Sequence, residues 1–195
     1  MRGVVSINLT DREGAFPNLT TARLSLRELL LSDAPSLFAV HGDPESMRWF
    51  GTDAMTEIGE AAKMIQMFAE WRRSGSGVRW AVTRLSDGLF LGTCGLFRWN
   101  RNWRSCVVGY ELAPIARGNG YMNEALSAAI GYGFDTMQLN RIEAQVHPEN
   151  APSIKTLEPL GFLREGYQRQ AGYWRATYHD LLQFALLRPE FRRRT

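Results

Sequence analysis

The segment Ala116-Arg117-Gly118-Asn119-Gly120-Tyr121-Met122 constrains the fold most, because two glycines one residue apart sit between a strand-like run and a helical one. Upstream, Ser105 to Leu112 reads as a strand. Downstream, Met122, Ala125, Leu126, Ala129, Ile130, Phe134 and Met137 recur on one helical stripe, and Arg141 to Val146 reads as a second strand. Strand, helix and strand within about forty residues make a right-handed crossover, which forces the two strands parallel. The turn also offers chemistry: glycines admit positive φ and close approach of a ligand, while unpaired N–H groups and the helix dipole attract an anion such as a pyrophosphate. It is not a Walker A loop, since no Gly-Lys-Ser/Thr follows, nor a dinucleotide fingerprint, since Asn123 stands where a third glycine is required. Taken alone, it is equally well a tight connection.

Around this unit the pattern is that of one mixed domain. Ala22 to Arg27 alternates as a half-buried strand, a short helix follows Ser32-Asp33 with Pro35 in its first turn, and Asp43-Pro44 ends it. Ala61, Ala62, Ile65, Phe68 and Ala69 mark a second helix closed by Ser74-Gly75-Ser76-Gly77. Strands at Val78 to Leu85 and Leu89 to Trp99 are joined by Ser86-Asp87-Gly88, and Ser105 to Leu112 completes an antiparallel meander. A short helix from about Asn150 to Leu160 precedes two last strands, Phe162 to Gln170 and Tyr178 to Leu187. Residues 1–20 read as a flexible arm, 21–188 as the domain and 189–195 as a basic tail.

A chain of 195 residues with 45% apolar and 22% charged residues suits one globular domain. Neither a secretory h-region nor a run of about 20 apolar residues occurs, so a cytoplasmic protein without a membrane partner is expected. The two cysteines, Cys94 and Cys106, each lie in an apolar run and read as buried thiols, neither disulfide nor metal ligands; no metal is expected. The net charge of +3 does not imply nucleic acid. Trp99, Trp103 and the arginines between Arg98 and Arg104 would be the surface for single-stranded RNA, but one short cluster is more simply a wet hairpin tip.

The helix after the second parallel strand is introduced by His147-Pro148-Glu149-Asn150-Ala151-Pro152-Ser153 and closed by Leu160-Gly161-Phe162. With these residues and the Arg117 to Met122 loop, the chain resembles the GNAT acetyltransferases, in particular their RimJ/RimL branch. Arg23 to Arg27, Asp33-Ala34, Asp43-Pro44-Glu45 and Arg48-Trp49 resemble that branch's opening strand and helix pair. The resemblance implies an α+β fold with a mixed, largely antiparallel seven-stranded sheet, splayed between two central parallel strands and flanked by about four helices. It implies acetyl-CoA as cosubstrate. Its pantetheine would pair with the backbone of Glu111, Leu112 and Ala113, and its pyrophosphate would rest on Arg117, Gly118, Asn119, Gly120, Tyr121 and Met122. Two departures are visible: Met122 replaces a small residue at the loop's end, and Pro159 sits in the last turn of the second helix.

The activity so implied is direct acetyl transfer to a primary amine. Many members place a tyrosine acid on the second helix, but Leu157 occupies the matching position, so Ser153 is the candidate acid, with Asn150 orienting pantetheine or sulfur. Glu111 is the candidate base, through water, and His147 its reserve. The acceptor is expected to be a protein N-terminus, ribosomal by resemblance, at a mouth lined by Trp49, Phe50 and Trp174. A small-molecule amine (polyamine, aminosugar or antibiotic) is the alternative, and a non-catalytic acyl-CoA sensor is a third reading. A homodimer is left open.

Overall fold

The computed structural model describes residues 15–192. Its eight strands are β1 (Leu19–Thr20), β2 (Leu24–Arg27), β3 (Gly77–Arg84), β4 (Phe90–Asn100), β5 (Ser105–Leu112), β6 (Arg141–Val146), β7 (Leu163–Trp174) and β8 (Thr177–Leu187). They form one sheet in the order β1-β2-β3-β4-β5-β6-β8-β7. Among the described residues only β5 and β6 pair in parallel, through the crossover that the glycine turn opens.

Helices cover both faces. In β3, Val78, Trp80 and Val82 face the main core with α3 (Tyr121–Asp135), whereas Ala81 faces a smaller core with α1 (Ala34–His41) and α2 (Ile58–Ser74), as strand alternation requires. In α2, Glu60 accepts from the N–H of Glu57, and Gly75 ends the helix with φ 67°, where a side chain would be strained. α4 (Ala151–Leu157) docks beside α3, where Asn123 Nδ2 donates to the carbonyl of Thr156 at 3.0 Å. Pro159 does not kink α4: it sits in the first turn of a 3₁₀ segment, Glu158–Leu160, which needs no N–H there.

Three expectations are corrected. The sheet has eight strands, not seven, because β1 pairs with β2 (Leu19 opposite Leu26). The arm 1–20 is thus too long: Trp80 Nε1 donates to the carbonyl of Pro17 at 2.7 Å, and Phe16 packs edge-on to Trp80. A tail starting at 189 is too long also, since Phe191 packs against Phe134 with ring centroids 5.4 Å apart. Residues 1–14 and 193–195, with the rest of the expected arm and tail, lie outside the described residues.

Candidate active site

The parallel strands part early. β5 and β6 are in register from Ser105–Arg141 to Val107–Glu143 and no further, so Val108 to Leu112 have no strand partner on that side. A cavity of about 680 Å³ passes through this opening, from Asn150, Ser153 and Met122 on the α3 and α4 face to Met64, Phe68 and Trp71 on the α2 face. On its other edge β5 pairs with β4, and Ala113 donates to the carbonyl of Leu91 at 2.8 Å. Antiparallel bonds alternate, so Gly109, Glu111 and Ala113 direct their N–H groups to β4, and beyond the last β5–β6 bridge Tyr110 and Leu112 direct theirs into the opening. The expectation for Glu111 to Ala113 is corrected accordingly: Leu112 and Tyr110 present free amides, whereas Ala113 engages both backbone groups, its carbonyl accepting from Ala116.

The glycine turn stands at the cavity's end. Gly118 (φ 77°) and Gly120 (φ 73°) are both left-handed, and a Cβ at Gly118 would meet nothing within 4 Å, so the backbone is open to a ligand. The first turn of α3 leaves N–H groups from about Tyr121 onward without intrahelical partners, which fits a diphosphate. Asn119 is used internally, its Nδ2 donating to the carbonyl of Arg117 at 2.9 Å. Arg23, not singled out from sequence, clamps the turn: Nη1 donates to the Asn119 carbonyl, Nε to Glu124, and the guanidinium lies 4.7 Å from the Tyr121 ring. Arg117 reaches back across the cavity to Ser46 Oγ at 2.8 Å. Met122 is buried in the α3 core and lines the cavity instead of blocking it.

Asn150 caps α4, its Oδ1 accepting from the N–H of Ser153 at 3.2 Å. Ser153 Oγ lies 2.7 Å from the hydroxyl of Tyr110, and both residues line the cavity. Burial holds the Tyr110 phenol well above its ordinary pKa, with the Ser153 bond opposing. Leu157, where a tyrosine acid was sought, is fully buried in the core, so the phenol nearest α4's start comes from β5 instead.

Glu111 lies on the α1 and α2 side of the opening and is not a free carboxylate. Its Oε1 accepts from Thr93 Oγ1 and lies 3.2 Å from His41 Nε2, while Oε2 is paired with Arg79 Nη2. Burial alone would raise its pKa, but Arg79, His41 and Thr93 together hold it below the usual carboxylate range. An ionised Glu111 can only accept, so His41 Nε2 carries the proton of that contact. Arg79, Thr93 and His41 were missed from sequence, although an arginine inside the apolar run Val78 to Val82 is itself the signal of a buried partner.

The three candidate acceptor residues all line the cavity. Trp49 stacks on His147 (centroids 4.1 Å, 18°), Phe50 packs edge-on to His41, and buried Trp174 stacks on His179 while its Nε1 donates to the carbonyl of Arg48. His147 takes the N–H of Glu149 on Nδ1, and burial lowers its pKa, so neutral His147 carries its proton on Nε2 and is a donor toward its surroundings, not an open base. Cys94 and Cys106 are buried free thiols; burial pushes Cys94 up to about 12, unsuited to nucleophilic work. Among the described residues no cluster could hold a metal ion, and no helix is long and apolar enough to cross a membrane.

Residues 23–163 match the family model described as an acetyltransferase (GNAT) domain. The chain is 34% identical over 174 residues to an uncharacterized N-acetyltransferase of Bacillus subtilis, YoaA, covering 89% of this chain and 98% of the relative. It is 31% identical over 130 residues to the ribosomal protein uS5 alanine N-acetyltransferase of Escherichia coli, covering 64% and 65%. The fold also matches spermidine N-acetyltransferase from Vibrio cholerae, solved with CoA and spermine, at a TM-score of 0.77 and 20% identity, covering 87% and 98%. With the split sheet, the open glycine turn and the family model agreeing over most of its length, this chain is a GNAT acetyltransferase whose relatives include a ribosomal-protein N-acetyltransferase.

Proposed function

We propose that the enzyme transfers the acetyl group of acetyl-CoA to the α-amino group of a polypeptide. The observation that carries this reading is the state of Glu111: a carboxylate below its ordinary pKa and already paired with Arg79 is a weak base. At pH 7 an α-amine with pKa near ~7.7 is about one-sixth neutral, whereas an alkyl amine near ~10.4 is neutral in roughly one molecule in 2,500. A site with a weak base suits the first. The uS5 relative is named for acetylating an alanine of a ribosomal protein, which leans the same way.

The residues divide the work as follows. The amides of Gly118 to Met122 hold the diphosphate, and the free N–H groups of Tyr110 and Leu112 hold the pantetheine arm and polarise the thioester carbonyl, one such donor contributing about 3 kcal/mol. The amine nitrogen attacks that carbonyl; the C–N bond forms, the C–S bond breaks, and the amine's proton is lost as the thiolate gains one. Glu111 Oε2, which accepts only from Arg79 among the described residues, retains a lone pair to orient the incoming amine directly or through water. The thiolate, with a conjugate acid near ~8.5, needs hydrogen bonding more than protonation, and the Tyr110–Ser153 hydroxyl pair supplies it.

A small amine is the second reading, favoured by the fold shared with the spermidine enzyme. Against a polyamine stands the charge of the cavity wall, where Arg79, Arg98 and Arg117 face only Glu45 and Glu111. Free thiol released from acetyl-CoA, measured with N-terminal peptides, spermidine, aminosugars and aminoglycosides, tests the choice. Turnover highest on peptides supports the proposal; turnover confined to a small amine overturns it.

A further inference from the structure

Resting on the polypeptide reading above, we infer that the acceptor lies extended along α2, with apolar residues next to its amine and an acidic side chain at about its fourth residue, bound by Arg98. The first support is a second apolar stripe on α2. Ala61, Ile65 and Phe68 enter the core, as one face of a helix should, and beside Phe68, which also borders the cavity, Met64, Met67 and Trp71 line it, with Met67 40% exposed. Thioethers and an indole make an adaptable apolar wall. Phe97 of β4 extends it, stacked on Trp71 with centroids 5.4 Å apart. Such a wall can receive apolar side chains of varied shape.

The second support is Arg98. The β4–β5 pairing shifts between Phe97 and Asn100, and Arg98 has φ 54°, a left-handed backbone on a residue that is not glycine. A bulge re-aims side chains, and here Phe97 and Arg98, neighbours that would point to opposite faces of a regular strand, both line the cavity. Strain of this kind persists where the surroundings enforce it, often at ligand sites. The other two arginines of the cavity wall are committed, Arg79 to Glu111 and Arg117 to Ser46. Arg98 stands 6.0 Å from the Phe97 ring and also borders a second cavity shared with Arg141 and Glu143, where Glu143 is paired with Arg141; Arg98 itself forms no ion pair among the described residues.

The spacing fixes where the acid must be. Phe97 is opposite Val107, and Val107 is four residues from Glu111 along β5. Four residues of extended chain cover about 13 Å, so an amine at Glu111 places the fourth residue of an extended acceptor near Arg98. An outstretched polyamine would set a second ammonium there, against a like charge.

The test uses peptides identical but for Asp, Asn or Lys at the fourth position, with kcat/KM read by thiol release for the wild type, Arg98→Ala and Arg98→Glu. The wild type is expected to prefer Asp over Lys about tenfold, Arg98→Ala to show little preference, and Arg98→Glu to prefer Lys. Ratios within one variant do not depend on how much of it is folded. Equal rates for Asp and Lys in the wild type, or an Asp preference kept by Arg98→Glu, overturn the inference while leaving peptide acetylation standing. Spermidine outpacing every peptide overturns it together with the polypeptide reading. No acetylation of any amine by protein that binds acetyl-CoA overturns the enzymatic reading as well.

Discussion

Arg79 of β3 reaches Glu111 of β5 across the whole width of β4, through space that two glycines leave empty. A Cβ at Gly95 would stand 2.6 Å from Arg79 Cδ, and one at Gly109 would stand 3.1 Å from Arg79 Nη1. The added Cβ at Gly95 would also stand 2.6 Å from the carbonyl of Val78, which is backbone and cannot swing aside, whereas at Gly109 the nearest atom belongs to the Phe97 ring. Gly95→Ala is therefore expected to lower stability by about 2 kcal/mol or more and Gly109→Ala by less, measured by denaturant unfolding. Equal effects would show that the Val78 backbone yields as readily as the Phe97 ring.

Removing Arg79 leaves Glu111 buried without its cation. Arg79→Met is expected to lower stability at pH 7 by about 3–5 kcal/mol, with part restored by adding Glu111→Gln. The pH dependence should change sign. In the wild type the Glu111 pKa is depressed below 4.5, so its contribution is complete above 4.5 and is lost as pH falls through the folded value. In Arg79→Met burial acts unopposed by the arginine and raises that pKa, so stability should decline as pH climbs above about 4.5. Unfolding free energies between acid and neutral pH check both slopes.

The architecture was legible in the sequence because its signals are local. Strand and helix periodicity placed β5 and β6 at the bounds observed, and the glycine turn set the crossover between them. Candidates for the cofactor side could be named for the same reason, since the amides proposed for it come from one turn and one strand. The acceptor side was not. Glu111 could be named, but its pairing with Arg79, Thr93 and His41 joins residues 18 to 70 positions away, and that pairing sets its basicity. Tyr110 was passed over because a tyrosine in a strand reads as packing. Ala113 was misassigned because which amides face the opening depends on the β4–β5 register, which composition does not carry.

If the Tyr110–Ser153 pair acts on the departing thiolate, its loss belongs in turnover. Tyr110→Phe and Ser153→Ala are each expected to lower kcat about tenfold with the KM for acetyl-CoA little changed. The double variant should be scarcely worse than either single one, because the two hydroxyls, 2.7 Å apart, work as a unit. Losses confined to KM would assign the pair to cofactor packing.

The β7–β8 hairpin turns on Arg175 (φ 52°) and Ala176 (φ 54°), two side chains in the left-handed region that glycine favours. Ala176→Gly should stabilise the fold by about 1 kcal/mol, visible as a raised Tm. Arg175 is less free to change, since its N–H donates to Asp53 at 2.7 Å and ties the hairpin to the loop carrying Trp49 and Phe50.

Main-chain amides at the mouth of the split sheet are expected to hold acetyl-CoA by its diphosphate. Calorimetric titration of the wild type and Gly120→Asp measures it directly. The expected result is micromolar binding by the wild type and none by the variant, whose carboxylate would occupy the anion site at a left-handed position. Absence of heat from folded wild type at millimolar acetyl-CoA, or unchanged affinity in Gly120→Asp, would contradict it.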